Sequence, residues 1–308
     1  MEHETDSNKY APHVALFAVQ IFFGTATVLG KFALAAFPPY ALVGFRVGGA
    51  ALAFYLVQRF KGGLALDDRR DYWRFAFFAV FGVALNQLLF FKGLSLTSAV
   101  NTSLIAVTIP IFTILISALL GSETLSWRKA AGTALAAVGV VYLIDPQKAS
   151  FGAASTQGDI LIVLNSFCYA VYVAVSKRLI SHYGALKSIA WLFIFGSIVN
   201  VPVGLYSLQT VDLGAVSTTS WLFVAGLVLF PTILSYYYNA WALARVEPSV
   251  VAVYIYLQPL FGFLAAILFL GERFTTRLLL AAAMVFAGVY LVTRRRRLEP
   301  IESHITAN

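Results

Sequence analysis

Charge is scarce in this chain of 308 residues: Asp, Glu, Lys and Arg together make up 12% of it, about half the share of an ordinary soluble domain. Acidic residues are fewer than basic ones, 14 against 22, and by the expected span limits every one of them falls in a terminus or a loop. His3, His13, His182 and His304 also lie at ends or in loops. No membrane span is therefore expected to hold a deep carboxylate or imidazole. That excludes a buried acid–base pair, a metal site of His and carboxylates, and a membrane-protease dyad. The chain reads as no enzyme, with no cofactor and no metal. One cysteine, Cys168, lies in an apolar stretch, so no disulfide framework forms within a single chain. No cleavable leader is expected either. The first apolar stretch is too long, follows acidic residues and lacks a small-residue cleavage site.

Apolar residues fill the space that charge leaves. They make up 60% of the chain, and the mean hydropathy is +0.81. A helix crosses a hydrocarbon core of ~30 Å with roughly 20 residues. Ten stretches qualify, at about 13–35, 39–58, 74–93, 99–120, 127–144, 159–179, 187–207, 219–241, 249–270 and 276–293. Long apolar runs, rather than short alternating ones, point to helices and not to a barrel. The expected fold is an all-α membrane protein with ten transmembrane helices.

The chain also repeats itself. Leu94 to Leu143 align without a gap on Leu243 to Val292 at an offset of 149, with ten of fifty positions identical. Pro110/Pro259, Glu123/Glu272, Arg128/Arg277 and Gly139/Gly288 are among them. Five spans per copy make the second copy enter the bilayer from the opposite side. Two inverted five-helix repeats around a central cavity are the architecture of alternating-access transporters.

The +8 net charge follows the spans. With the N-terminus inside, sixteen Lys and Arg face inward, from Lys9 to the run Arg294–Arg297. Four face outward: Lys92, Lys148, Arg273 and Arg277. This asymmetry sets both termini in the cytoplasm. The terminal basic run reads as a stop signal at an anionic leaflet, not as a nucleic-acid site.

Two segments carry a family resemblance: Pro110-Ile-Phe-Thr-Ile-Leu-Ile-Ser-Ala-Leu-Leu-Gly-Ser-Glu123 and Pro259-Leu-Phe-Gly-Phe-Leu-Ala-Ala-Ile-Leu-Phe-Leu-Gly-Glu272. With ten spans in two halves, the chain resembles the drug/metabolite transporter superfamily, in its EamA-type ten-helix branch. The first half departs from the pattern, with Gly-Ser-Glu where the family has Gly-Glu. The resemblance implies a multi-pass permease of the bacterial inner (plasma) membrane, often an exporter of amino acids or other metabolites. Small cation-exporting relatives depend on a membrane Glu, which this chain lacks. The expected divisions are a cytoplasmic tail (1–12), a first EamA-like repeat (13–144), a periplasmic linker (145–158), a second repeat (159–293) and a basic cytoplasmic tail (294–308).

Polar residues inside spans are costly and so mark candidate sites. Gln20, Gly24, Thr27 and Lys31 share one helix face, as do Asn165, Tyr169, Tyr172 and Ser176. Asn86, Gln87, Asn101, Thr108, Tyr254 and Gln258 add to these. Arg46 is the deepest charge. It either attracts a carboxylate or phosphate or ties helix-end carbonyls. Lys31 either snorkels or serves the site, and its counterpart Lys177 reads as a snorkelling, topology-setting residue. The candidate substrate-binding set is Thr27, Lys31, Arg46, Asn86, Gln87, Asn101, Thr108, Asn165, Tyr169, Tyr172, Tyr254 and Gln258. Pro110 and Pro259 are expected to kink their spans and act as hinges. Glu123 and Glu272 read as structural, with Ser126 and Thr275 capping the next helix. Tyr236, Tyr237 and Tyr238 read mainly as interfacial anchors, with Tyr237 or Tyr238 as the ones able to reach the cavity. Spans five and ten, rich in Ala and Gly, read as peripheral braces. The expected activity is secondary transport of a small metabolite such as an amino acid, driven by the cargo's own gradient. The alternatives are export of drug-like or cationic compounds and a non-transporting sensor or scaffold. The partners expected are the small-molecule cargo and the lipid bilayer, with a monomer as the unit and a homodimer as the alternative.

Overall fold

The computed structural model of the chain describes residues 3–121, 127–144, 153–246, 251, 254–273 and 275–293. They are helical, with no strand among them. The first half holds α1 (His3–Leu34), α2 (Pro39–Lys61), α3 (Arg69–Ala79), α4 (Leu85–Leu96), α5 (Ala99–Ile105), α6 (Thr108–Leu119) and α7 (Trp127–Ile144). The second holds α8 (Ala154–Tyr183), α9 (Ala185–Leu208), α10 (Thr218–Val228), α11 (Ser235–Leu243), α12 (Gln258–Leu270) and α13 (Thr276–Thr293).

Seven helical stretches are long and apolar enough to cross a membrane. Three of the ten expected spans appear instead as shorter apolar helices, Ala130–Gly139, Gln258–Leu270 and Thr276–Gly288. Large apolar side chains such as Leu52, Leu205, Leu222 and Leu260 are at least 60% exposed. In water such a surface would aggregate; it suits lipid.

Polar caps fix several ends. The Asp68 carboxylate accepts from the Arg70 amide (2.8 Å) at the start of α3. Ser98 Oγ accepts from the Asn101 amide (2.9 Å) at the start of α5. Each satisfies an amide that the first turn leaves without a partner. Gly184 alone joins α8 to α9, with a φ of 78° that costs glycine little. Two expectations about helix starts are corrected. α1 is helical from His3, through Pro12, not from residue 13. α8 begins at Ala154 rather than 159, because its first turn is polar and escapes an apolar count. Asp159 therefore lies inside a helix and not in a loop.

Two helices widen into π turns, Val80–Ala84 between α3 and α4 and Leu229–Leu234 between α10 and α11. Val80 and Leu229 are 149 residues apart. The second turn contains Pro231, and its extra residue accommodates the ring and the missing N–H. Side chains take up carbonyls there: Thr232 Oγ1 donates to Leu227 O (2.7 Å) and Ser235 Oγ to Phe230 O (3.0 Å).

The prolines expected as mid-span kinks sit differently. α5 ends before a turn at Ala106–Val107, and α12 follows a turn at Tyr256–Leu257. Both junctions close with i→i−3 bonds, Val107 N to Leu104 O (3.1 Å) and Leu257 N to Tyr254 O (3.0 Å). Pro110 and Pro259 fall in the first turn of α6 and α12. An amide there has no helical partner, so the proline sacrifices no bond. The break lies just upstream of each proline.

Glycines bring helices into close contact. A Cβ on Gly24 would lie 2.7 Å from Phe261 Cβ and 2.8 Å from Gln258 O, so α1 and α12 pack backbone to backbone. A Cβ on Gly139 of α7 would lie 3.0 Å from Ala281 O of α13, and one on Gly288 would meet Gly132 and Ala136 of α7. The two small-residue helices thus brace each other across the halves.

Candidate functional site

Inside the helices lies a cavity of about 70 Å³. α1, α2, α4, the α5–α6 junction, α8, α11 and the Ile255–Gln258 turn contribute to its wall. Six amides line it: Gln20, Asn86, Gln87, Asn165, Asn239 and Gln258. Phe23, Phe90, Tyr169 and Tyr236 supply aromatic faces, and Ala26, Ala106, Ile109 and Ile255 the aliphatic ones. Arg46 is the one charged residue among them; no carboxylate is in the lining.

Arg46 is 3% exposed. Its Nε donates to Thr232 Oγ1 (2.7 Å) and its Nη2 to Pro231 O (3.4 Å). Its guanidinium lies 4.8 Å from the Phe91 ring centre. The widened turn at Pro231 thus presents the acceptors that fix this side chain. Arg46 thus ties a neighbouring helix and also lines the cavity. A guanidinium has five N–H groups. These two bonds leave three for another acceptor.

Around it the polar groups are mutually bonded. Gln87 Nε2 donates to Tyr236 OH (2.9 Å), and that hydroxyl lies within donating distance of Gly82 O (3.1 Å) and Asn86 Oδ1 (3.2 Å). Asn165 Nδ2 donates to Asn86 O (2.8 Å), and Asn239 Nδ2 to Tyr169 OH (2.9 Å). Gln20 Oε1 is buried and accepts no bond. Ten of the fifteen lining residues form five pairs 149 apart: Gln20/Tyr169, Gln87/Tyr236, Phe90/Asn239, Ala106/Ile255 and Ile109/Gln258.

Polar contacts close the structure beyond the cavity. At the Lys31 end, Lys31 Nζ donates to Thr97 O and Thr97 Oγ1 to Asp159 Oδ1, both at 2.5 Å. Asn101 Nδ2 lies 3.3 Å from Asp159 Oδ2. The Glu272 carboxylate accepts from the Ala99 and Val100 amides, both at 3.1 Å, and so caps α5. At the opposite end, His13 Nδ1 meets Tyr254 OH (2.9 Å), and Tyr183 OH donates to Asp71 Oδ2 (2.7 Å). Trp191 Nε1 donates to Leu64 O (2.8 Å). Most of these bonds join residues of one half to residues of the other.

Of the sequence-derived set, Arg46, Asn86, Gln87, Asn165, Tyr169 and Gln258 line the cavity. Lys31 and Asn101 belong to the closure around Asp159. Tyr254 belongs to the closure with His13. Thr27 Oγ1 and Thr108 Oγ1 bond their own helices, at Gly24 O (2.9 Å) and Ile105 O (2.7 Å). Tyr172 is 1% exposed and packs under Gly82. Tyr236, not Tyr237 or Tyr238, reaches the cavity. It and Asn239 could have been found by adding 149 to Gln87 and Phe90. Asp159, 3% exposed, stands near the start of α8 and not in the loop expected for it. Thr275 Oγ1 does cap α13, accepting from the Leu278 amide (3.1 Å). Glu123 and Ser126 lie outside the described residues.

A protein-family model described as the EamA-like transporter family matches residues 12–144 and again 156–294. The chain belongs to the EamA-like transporter family. It is similar to an uncharacterized transporter of Archaeoglobus fulgidus, 27% identical over 92% of this chain and 98% of that one. It is also similar to a probable terminal-alkyne amino-acid exporter of Streptantibioticus cattleyicolor, 24% identical over 76% of this chain and 77% of that one. A solved crystal structure covers 92% of the chain and 96% of its own at a TM-score of 0.66, with 18% identity, and so shares the fold. This EamA-like chain is a multi-pass membrane protein of a transporter family, as its resemblance implied.

Proposed function

We propose that this EamA-like protein is a secondary transporter that exports a small metabolite, such as an amino acid, by alternating access. Its ten expected spans form two inverted five-helix repeats, with both termini cytoplasmic in a bacterial inner membrane. The five pairs of cavity residues spaced by 149 carry this reading. A site built from equivalent positions of two halves lies on the axis that relates them, where rocking of one half against the other exposes it to each side in turn. The paired π turns at Val80–Ala84 and Leu229–Leu234 add support.

With the Lys31 end taken as outer, the Asp159 and Glu272 contacts form the outer closure. The His13–Tyr254 and Tyr183–Asp71 contacts form the inner one. In this reading the two sets of contacts narrow the ends of the cavity. The proposed substrate-binding set is Arg46, Asn86, Gln87, Asn165, Tyr169 and Gln258, joined by Gln20, Tyr236 and Asn239, all of which line the cavity. Thr27, Lys31, Asn101, Thr108, Tyr172 and Tyr254 serve packing or closure. The hinges are the breaks preceding Pro110 and Pro259. A lone buried cation with no carboxylate in the wall disfavours cationic drugs as cargo. Purified protein in sealed proteoliposomes should show counterflow of a labelled metabolite, with uptake driven by unlabelled cargo inside. No counterflow with any amino acid, organic acid, sugar or cationic dye would favour the sensor or scaffold reading.

A further inference from the structure

We infer that an anionic phospholipid binds in a second cavity, between α3 and α8 at the cytoplasmic surface of the membrane, with its phosphate on the Arg74 and Arg178 guanidiniums and an acyl chain along Phe78, Val175 and Leu179. This cavity measures about 540 Å³ and shares no lining residue with the central one. It sits where two spans end. The Arg69–Leu96 stretch begins five residues before Arg74, and the Ala154–Tyr183 stretch stops five residues after Arg178. Both guanidiniums therefore stand at headgroup depth. The choice of leaflet rests on the orientation proposed above, which puts this end inside; the identity of the cargo does not enter.

Charge balance points to one phosphate. Arg74 Nη1 donates to Asp71 Oδ1 (2.7 Å), and Asp71 Oδ2 accepts from Tyr183 OH (2.7 Å). Asp71 is the one acid among the lining residues. It is engaged on both oxygens, and Arg74 keeps its other N–H groups. A second acid, Asp67, stands outside the lining beside His182, at 3.3 Å. Arg178 is exposed and has no hydrogen bond or ion pair among the described residues. Two guanidiniums against one carboxylate leave one positive charge in the cavity. A phosphodiester cancels it, and the planar guanidinium forks suit its oxygens. Phe78, Val175 and Leu179 make the rest of the wall apolar. A free anion would leave that surface uncovered, whereas an acyl chain covers it. Trp73 and Phe77 of the same α3 are exposed, interfacial aromatics that set this helix against lipid. Basic pockets between transmembrane helices on the cytoplasmic side are suited to anionic headgroups.

The test is native mass spectrometry of the full chain in a neutral detergent, titrated with dioleoyl phosphatidylglycerol or with dioleoyl phosphatidylcholine. The first phosphatidylglycerol should bind at least about fivefold more tightly than phosphatidylcholine, which carries no net charge. Arg178→Gln removes an exposed group that holds no partner, so this variant should fold. It should weaken the first phosphatidylglycerol about fivefold, the effect of one cation beside an anionic headgroup. Arg59→Gln removes an exposed cation from the last turn of α2, outside the cavity, and should leave the affinity unchanged. Equal weakening in the two variants would assign the attraction to the basic face as a whole and overturn the site. No weakening in Arg178→Gln, or equal affinity for the two lipids, would overturn it as well. Displacement of the lipid by inorganic phosphate at a matching concentration would mark a free-anion site and overturn the lipid assignment. None of these outcomes bears on counterflow, so the transporter reading stands or falls separately.

Discussion

Arg46 is bound on one side to Thr232 and Pro231 and open on the other to the cavity, so substitution there has two separable effects. Arg46→Gln should raise the apparent KM for a carboxylate cargo about tenfold or more, since the fork that would hold the anion is gone. It should also lower stability by about 1.5–3 kcal/mol through the lost charged hydrogen bonds, read as a fall in Tm in detergent. A fall in Tm with an unchanged KM would make Arg46 a structural tie alone. Asp159 offers a second test. Asp159→Ala leaves Thr97 Oγ1 and Asn101 Nδ2 without their acceptor and should cost about 1–3 kcal/mol, while Asp159→Asn, which keeps one carbonyl oxygen, should cost less. Equal melting temperatures for both variants and the parent would show that Asp159 adds nothing to the closure. At this scale the sequence was only partly legible. Arg46 stood out because a charge is rare in a span. Asp159 did not, because the polar first turn Ala154-Ser155-Thr156-Gln157 reads as a loop until the helix is seen to include it. Thr27 and Thr108 were drawn into the candidate set by helical spacing, but a hydroxyl can satisfy itself on its own backbone, which spacing does not reveal.

The helices around each span-four and span-nine proline behave differently from a simple kink. Pro110→Ala and Pro259→Ala change residues whose amides have no helical partner, so each should shift stability by less than about 1 kcal/mol. Gly24→Val, by contrast, forces a branched side chain between α1 and α12, where even a Cβ would stand 2.7 Å from Phe261. It should cost about 1–3 kcal/mol or more. A thermal-unfolding series in detergent should rank Gly24→Val far below the two proline variants; the reverse order would put the helix break at the prolines themselves. The apolar runs revealed the long spans, because a helix in lipid needs length and hydrophobicity before anything else. The breaks at Ala106–Val107 and Tyr256–Leu257 and the π turns left no mark in hydropathy, since backbone amides or single hydroxyls such as Thr232 Oγ1 take up their carbonyls. Gly139 and Gly288 were legible as small residues, but not as partners across the halves.

The molecule as a whole is read as two halves closing over one cavity from both ends. The offset of 149 was visible between Leu94 and Leu143 and their counterparts, and in the structure it relates cavity residues well outside that window, such as Gln20 and Tyr169. Orientation rests on the basic residues alone. Reporter fusions after Lys61 and at the C-terminus should read cytoplasmic and a fusion at Ala154 periplasmic. A cytoplasmic reading at Ala154 would put both halves the same way up and end the inverted-repeat proposal. The central claim, that one cavity opens to each side in turn, is tested most directly by chemical access to it. Asn86→Cys in a Cys168→Ala background places one thiol at the cavity wall, and a membrane-impermeant maleimide can be supplied from either face of sealed vesicles. The thiol should react from both faces, and a saturating cargo identified by counterflow should slow both reactions. Labelling from one face only, under every cargo condition, would contradict alternating access.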